Sequence, residues 1–302
     1  MPIDHQNQPH LPVLLNEVLA YLDPKPGESY LDLTAGYGGH AAAVLKLTES
    51  PDKAVLVDRD REAIEHLKAK FTQARIIHSD FLAAAQELAA EGKKFDLILA
   101  DLGIASPHID KPERGFSFAR SGPLDMRMDQ RQPLSAETLV NQADEAELVQ
   151  VISRYGEEPR ARRIAATIIA SRPIKNTAEL AEVIARVVGR NFRRSKIHPA
   201  TKTFQALRIA VNDELGQLQA SLPLMCELLA PGGRLAVISF HSLEDRLVKR
   251  YFGEIAGDRY DATARPLTKK PVTASPQEID INPRARSAKL RAVAKIKTER
   301  IN

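Results

Sequence analysis

From residue 11 onward the apolar positions follow two rhythms. One spaces them three and four apart, as on one side of a helix; the other packs them into short Val-, Ile- and Leu-rich runs, as in a strand buried on both faces. LPVLLNEVLAYL at 11 to 22 has the first rhythm and predicts a leading helix. Strands are predicted at 30 to 33 (YLDL), 54 to 58 (AVLVD), 74 to 78 (ARIIH), 95 to 102 (FDLILADL) and 234 to 240 (RLAVISF). Helices fall between the first four, near 39 to 47, 61 to 70 and 81 to 91. Such alternation is the signature of βαβ units on a parallel sheet, so the chain reads as α/β.

The rhythm stops at residue 103. A stretch rich in glycine, proline and serine runs to about 131, and helical segments follow at 135 to 141, 144 to 154, 159 to 171 and 177 to 188 with no strand between them. Asp144 with Glu147 and Asn176 with Glu179 have capping-box spacing at two of these starts. Residues 105 to 200 therefore read as a helical insert for substrate recognition, in a core made of 1 to 104 and 201 to 302. A long helix from Ala200, interrupted near Pro223, leads into the fifth strand. The proline-rich stretch 253 to 283 reads as loop, and SAKLRAVAKIK at 287 to 297 as a last, edge strand.

The length of 302 residues fits one large domain with an insertion, or two domains. With 43% apolar and 27% charged residues, and no apolar run near the ~20 needed to cross a bilayer, a soluble globular protein with no membrane contact is expected. MPIDHQNQPH lacks the basic-then-apolar order of a secretion signal. Cys226 is the only cysteine, which excludes an intramolecular disulfide and a cysteine zinc cluster and fits the reducing cytoplasm. No set of carboxylates and histidines has metal-ligand spacing, so no metal is expected. Asp125 and Asp129 would share a helical face, which reads as solvated.

Charge changes the picture once it is divided along the chain. Residues 183 to 212 hold seven basic side chains and no acid, and 283 to 302 hold seven more against Glu299. A net charge of +4 then leaves nine net negative charges on everything else. Either run alone reads as a solvated helix face; two on an otherwise acidic chain point to a polyanion such as nucleic acid.

The candidate chemistry begins at DLTAGYGGH, 32 to 40, in the turn between the first strand and the first sheet helix. A glycine-rich turn there lets a ligand touch backbone N–H groups. Gly36, Gly38 and Ala41 also satisfy the dinucleotide pattern, so a nicotinamide cofactor is one reading. Asp58, ending the second strand, is placed to bind a ribose hydroxyl pair in either cofactor. Three features favour S-adenosylmethionine. Asp32 stands where a carboxylate attracts an ammonium or sulfonium but repels a pyrophosphate. HSDF at 78 to 81 puts an acid and an aromatic where adenine is bonded and stacked. DLGIASPH at 101 to 108 offers a carboxylate where a transferred methyl would emerge. Plainer roles exist for each: Phe81 as core, Asp80 as a helix cap, Asp101 as a brace for the turn after it.

At DLGIASPH followed by ERGFSFARSGPLDMRMD (113 to 129), the chain resembles the RsmH (MraW) family of bacterial small-subunit rRNA methyltransferases. HPATKTFQALRIAVNDEL (198 to 215), SFHSLEDRLVKRYF (239 to 252), NPRARSAKLR (282 to 291) and LLNEVL carry the same resemblance over nearly the whole chain. It implies a class I, Rossmann-like, S-adenosylmethionine-dependent methyltransferase core with a helical insert. It implies N4-methylation of a cytidine, position 1402, of 16S rRNA, with the rRNA or the small subunit as partner. The family's cofactor contacts fall on Gly38, Gly39, His40, Asp58, Phe81, Asp101 and His108. The chain departs from the family pattern at Ala105, His108 and Ser121, where serine, glutamine and an acid are usual.

Cytosine's exocyclic nitrogen is a poor nucleophile because its lone pair is delocalised into the ring, so the site must localise that pair. Asp101 is the residue placed to accept its N–H. The base must leave its stack to be reached, and Phe116, Phe118, Arg127, Phe240 and His241 are candidates to hold it. Core packing is the plain alternative for the phenylalanines and a salt bridge for Arg127. Ser242 with Asp245 reads as a helix cap, and 186 to 208 with 284 to 300 as phosphate grips. Three rival functions remain at this level: a nicotinamide-dependent oxidoreductase, a non-catalytic RNA-binding protein, and a methyltransferase acting on protein or small molecules, which the basic runs disfavour. The sequence is compatible with a homodimer.

Overall fold

The computed structural model describes residues 11 to 103, 111 to 188, 198 to 257 and 262 to 296. The chain forms two compact units: Met1–Gly103 with Gly216–Asn302, and Ile104–Leu215.

The first unit is built on a seven-stranded sheet in the order β3-β2-β1-β4-β5-β7-β6. The strands are β1 (Tyr30–Asp32), β2 (Ala54–Asp58), β3 (Arg75–His78), β4 (Phe95–Asp101), β5 (Leu229–Ser239), β6 (Ala264–Pro266) and β7 (Lys289–Lys295). β1 to β5 pair in parallel, β7 runs antiparallel to both β5 and β6, and the order reverses between β1 and β4. This is the class I methyltransferase arrangement of a Rossmann-like sheet, with its ligand crevice expected beyond the carboxyl ends at that reversal.

The helices of this unit are α1 (Leu15–Leu22), α2 (Gly39–Thr48), α3 (Arg61–Lys70) and α4 (Phe81–Ala90) before the insertion. Each of α3 and α4 starts at an aspartate whose side chain accepts first-turn N–H groups, Asp60 from Glu62 and Asp80 from Leu82 and Ala83. The central strands are apolar on both faces, and two clusters cover them. Val57, Ile98, Val237 and Leu88 lie in one; Leu56, Leu99, Ile238 and Val44 lie in the other.

The second unit is helical: α5 (Ala136–Gln142), α6 (Glu145–Gly156), α7 (Ala161–Ala170), α8 (Thr177–Val188) and α9 (Thr201–Asn212). Asp144 and Asn176 accept from the N–H of Glu147 and Glu179, as the capping spacing predicts. One apolar cluster joins all five helices through Leu139, Ile152, Ile164, Ile184 and Phe204. The sequence reading gives the helix after Ala200 to the sheet domain, but the buried face of α9 (Phe204, Leu207, Val211) belongs to this helical core.

Four further expectations are corrected. The helix after Ala200 breaks at Asp213, in left-handed conformation at φ 45°, whereas Pro223 sits inside the next helix, α10 (Glu214–Glu227). The stretch 253 to 283 carries β6 and a short helix, α12 (Pro276–Ile281), capped by Ser275, and follows α11 (Ser242–Ile255). β7 is not the edge strand, because β6 pairs with its outer side. Asp125 and Asp129 lie in a loop rather than on a helix, each paired with an arginine two residues on, Arg127 and Arg131.

Two side chains fasten that loop to α9: Gln132, which donates to the Val211 carbonyl (2.9 Å), and Asn212. Asn212, 1% exposed, donates to the Met126 carbonyl (2.8 Å) and accepts from the Met128 N–H (2.8 Å). Arg114 adds bonds to the Arg127 and Met128 carbonyls. Removing a buried amide that serves both a donor and an acceptor strands both, so Asn212→Ala is expected to lower unfolding free energy by about 2–4 kcal/mol. Urea titration of the two proteins measures it.

Candidate active site

β1 ends at Asp32 and β4 at Asp101, side by side across the reversal, with Asp32 in register with Leu99. Three backbone links fix the chain between β1 and α2. The Asp101 N–H donates to the Thr34 hydroxyl (2.6 Å), and the Ala35 N–H to the Val57 carbonyl (2.8 Å). The Gly36 N–H donates to Asp58 (2.8 Å), whose second carboxylate oxygen accepts from Asp60 (2.8 Å). Burial pushes the Asp58 carboxyl up, and the N–H donors of Asp60 and Gly36 oppose it.

The three glycines of the turn have different reasons. Gly38 has φ +73°, and a Cβ there would lie 2.3 Å from the Phe71 ring; one on Gly39 would lie 3.1 Å from the Pro12 ring. The chain's own packing therefore explains both. At Gly36, with φ +52°, a Cβ would meet nothing within 4 Å, so the backbone faces open space there. The main chain is therefore bare at this position of the turn. α2 begins at Gly39, and its unpaired first-turn N–H groups favour an anionic group such as a carboxylate.

His40 follows in the first turn of α2, 7% exposed, with its Nε2 3.6 Å from Asp101 Oδ2. Neither ring nitrogen, nor Asp101 Oδ1, has a hydrogen-bond partner, and all three atoms are buried. Asp32 lies beneath, 1% exposed, accepting from the Tyr30 hydroxyl (2.8 Å) and the Thr34 N–H (3.2 Å). Its carboxyl is pushed up to about 6 by burial, against the opposing pull of His40, Tyr30 and Thr34. This corrects the expectation that Asp32 meets a cationic ligand directly: the residue is buried, whereas Asp58 is only half-buried. The sequence reading missed Tyr30, although a tyrosine two residues before an aspartate on one strand necessarily shares its face.

Phe81 opens α4, 7% exposed, with the Arg59 guanidinium carbon 5.7 Å from its ring centroid. Asp80 is spent as the cap of that helix. Gly38, Gly39, His40, Asp58, Phe81 and Asp101 thus all stand in the turns at the carboxyl ends of β1 to β4. His108 lies outside the described residues, as do Ala105 and most of the loop after β4.

Of the base-stacking candidates, Phe116 and Phe118 pack against the helical core, and Phe118 also lies 4.6 Å from the His198 ring. Arg127 is the salt-bridge case, bound to both Asp125 oxygens. Phe240 packs on Gly103, where a Cβ would lie 2.7 Å from its ring. The cap of α11 is His241 with Glu244, one residue earlier than Ser242 with Asp245; Asp245 instead binds Arg291 (2.7 Å) and Lys289 (3.5 Å).

The basic runs are likewise partly internal. Arg208 makes two 2.8 Å bonds to Glu214, and Lys295 caps α10 through the Cys226 and Leu229 carbonyls. Arg186 and Lys202 are exposed on the helical unit, and Arg265, Lys269, Lys270 and Arg286 on the sheet unit. Residues 189 to 197 and 297 to 302 lie outside the described residues. Among the described residues no helix is long and apolar enough to cross a membrane.

Comparison with known proteins agrees with this geometry. A family model described as the MraW methylase family matches residues 7–296. A protein of Nostoc sp. named "Ribosomal RNA small subunit methyltransferase H" is 48% identical over 291 residues, covering 95% of this chain and 92% of its own. Proteins of the same name are 45% identical in Acidobacterium capsulatum, covering 96% and 99%, and 44% in Heliobacterium modesticaldum, covering 95% and 99%.

The Asp32 carboxyl sets a pH dependence of stability. Its folded value of about 6 lies above the ordinary 3.8, so the folded chain holds the proton more tightly. That contribution is present below 3.8 and lost as pH rises through about 6, amounting to about 3 kcal/mol. Between about pH 4 and about pH 7, wild type is expected to lose about 2.5 kcal/mol of this contribution relative to Asp32→Asn in urea titrations; parallel curves would refute it.

Proposed function

The chain belongs to the MraW methylase family, and from that premise we propose that it transfers the methyl group of S-adenosylmethionine to small-subunit rRNA, at N4 of the cytidine at position 1402. The observation that carries the reading is Asp101 Oδ1, a buried and unpartnered carboxylate oxygen at the sheet reversal, beside a turn whose Gly36 faces open space.

The residues fit the cofactor. The open backbone at Gly36 and the first-turn N–H groups of α2 suit the methionine end, whose carboxylate meets the positive end of the helix. Asp58 keeps unused lone pairs for ribose hydroxyls, since each oxygen accepts a single backbone N–H. Phe81 offers a ring face for adenine. A dinucleotide fits less well, because its pyrophosphate would lie near Asp32 and Asp101. When bound, S-adenosylmethionine supplies an electrophilic methyl group on a positively charged sulfur.

The chain's own contribution is binding and placement. Asp101 accepts an N–H of the cytosine amine, which draws the nitrogen lone pair out of conjugation and fixes its direction. It also stabilises the positive charge that grows on the amine. Holding the two reactants in contact supplies the larger share of the acceleration, since effective concentrations in oriented pairs reach about 10⁵ M or more. The exposed cations Arg186, Lys202, Arg265, Lys269, Lys270 and Arg286 suit the phosphates of the rRNA.

Asp101→Asn keeps the shape and removes the negative charge. Labelled methyl transfer to unmodified small subunits is expected to slow by about 10²-fold or more, with rRNA affinity changed less than about threefold. Mapping the labelled nucleotide tests the target; a label elsewhere, or full activity in the variant, refutes the reading. Calorimetry with S-adenosylmethionine and with NADH separates the cofactors.

A further inference from the structure

His40 is more than a member of the glycine turn. Its ring is 7% exposed and both nitrogens are buried without a hydrogen-bond partner. Leaving such atoms unsatisfied costs stability, so a histidine with no task here would be a liability. Its Nε2 stands 3.6 Å from Asp101 Oδ2, and the electrostatic effect of the ring is felt by Asp32. The imidazole therefore stands against Asp101 from β4 and within electrostatic reach of Asp32 from β1, to which the Tyr30 hydroxyl is bound.

Amine methylation creates a need for such a group. The amine nitrogen takes the methyl, the electron pair of the broken carbon–sulfur bond stays on sulfur, and the N-methylaminium ion must shed a proton. Asp101 is the first acceptor, but a carboxyl group left protonated in a closed site is spent until it is relieved. We propose that His40 is the positioning residue that orients Asp101 and then receives, through it, the proton released by the methylated amine. The proton passes from the amine to Asp101 and, after rotation of the carboxyl, to Nε2 of the neutral imidazole. Asp101 returns to its anionic form, and the imidazolium is stabilised between two carboxylates. It passes its proton to water once the product has left. This rests on the methyl-transfer reading above, and it assigns the His40 side chain to the acceptor's proton rather than to the cofactor.

The test uses the full-length protein with small subunits, comparing wild type and His40→Ala in single-turnover methyl transfer. The variant is expected to be slower by about 10²-fold, the usual scale of one proton-transfer group. Its calorimetric affinity for S-adenosylmethionine is expected to stay within about threefold, since the ring does not serve the cofactor. Added imidazole is expected to restore at least about tenfold of the rate, while pyrazole, of the same size but a far weaker base, does not. An affinity that falls in step with the rate, equal rescue by both compounds, rescue by neither, or an unchanged rate overturns the inference. If His40→Ala does not fold, His40→Asn carries the rate and affinity comparisons to the same thresholds. Absence of transfer by wild type overturns the activity reading and this inference together; full-rate transfer by the variant overturns this inference alone.

Discussion

The parallel pairing of β1 with β4 is the constraint on which the site depends. Neither strand is long, and residues 32 and 101 are far apart in sequence, yet the register that sets Asp32 opposite Leu99 brings their carboxyl ends together. The Thr34 hydroxyl then takes the Asp101 N–H, tying the turn after one strand to the last residue of the other. A slip of two residues would keep the apolar faces in place and still separate the two carboxylates by a further ~7 Å. The sheet core does not by itself demand this register; the polar bonds at its end do.

Concentrating two carboxylates and an imidazole there is expensive, and the structure offsets the cost locally. Asp32 takes the Tyr30 hydroxyl and the Thr34 N–H; Asp58 takes two backbone donors. Asp101 and His40 are the exceptions, each with a buried atom that no partner among the described residues satisfies. Unpaired polar atoms beside fully paired neighbours mark where something is meant to bind.

Most of the sheet was legible because strands buried on both faces must be apolar throughout, and the helices between them because one face must be. The misses have specific causes. β5 begins at Leu229, earlier than its apolar run, because a proline and two glycines precede that run and the pairing with β4 shifts register there. The break before α10 falls at Asp213, an aspartate being one of the few non-glycine residues that adopt left-handed backbone, while Pro223, the stronger signal in the sequence, sits inside α10. β6 is three residues long and cannot be seen by periodicity. At the site, the glycine turn and the strand-end acids were visible as a set, but the reasons for Gly38 and Gly39 were not: Phe71 and Pro12 are contacts of the fold. The pairing of His40 with Asp101 has no spacing to reveal it; only the register of two strands and the first turn of α2 creates it.

On the function proposed above, the burial of this cluster answers the weakness of the nucleophile. A cytosine amine gains nucleophilicity only if an acceptor competes with the ring for its electrons, and an exposed carboxylate would be satisfied by water instead. A carboxylate with one oxygen unpaired and no water to solvate it is a stronger acceptor, at the cost of needing a neighbour to balance its charge. Lysine or arginine would do so, but a permanent cation against Asp101 would blunt that acceptor strength and repel a positively charged donor. Histidine is the side chain that can be neutral while the amine attacks and charged after it has lost its proton. On the proposal made above, a buried histidine beside Asp101 is what methyl transfer to a neutral nitrogen asks of this position.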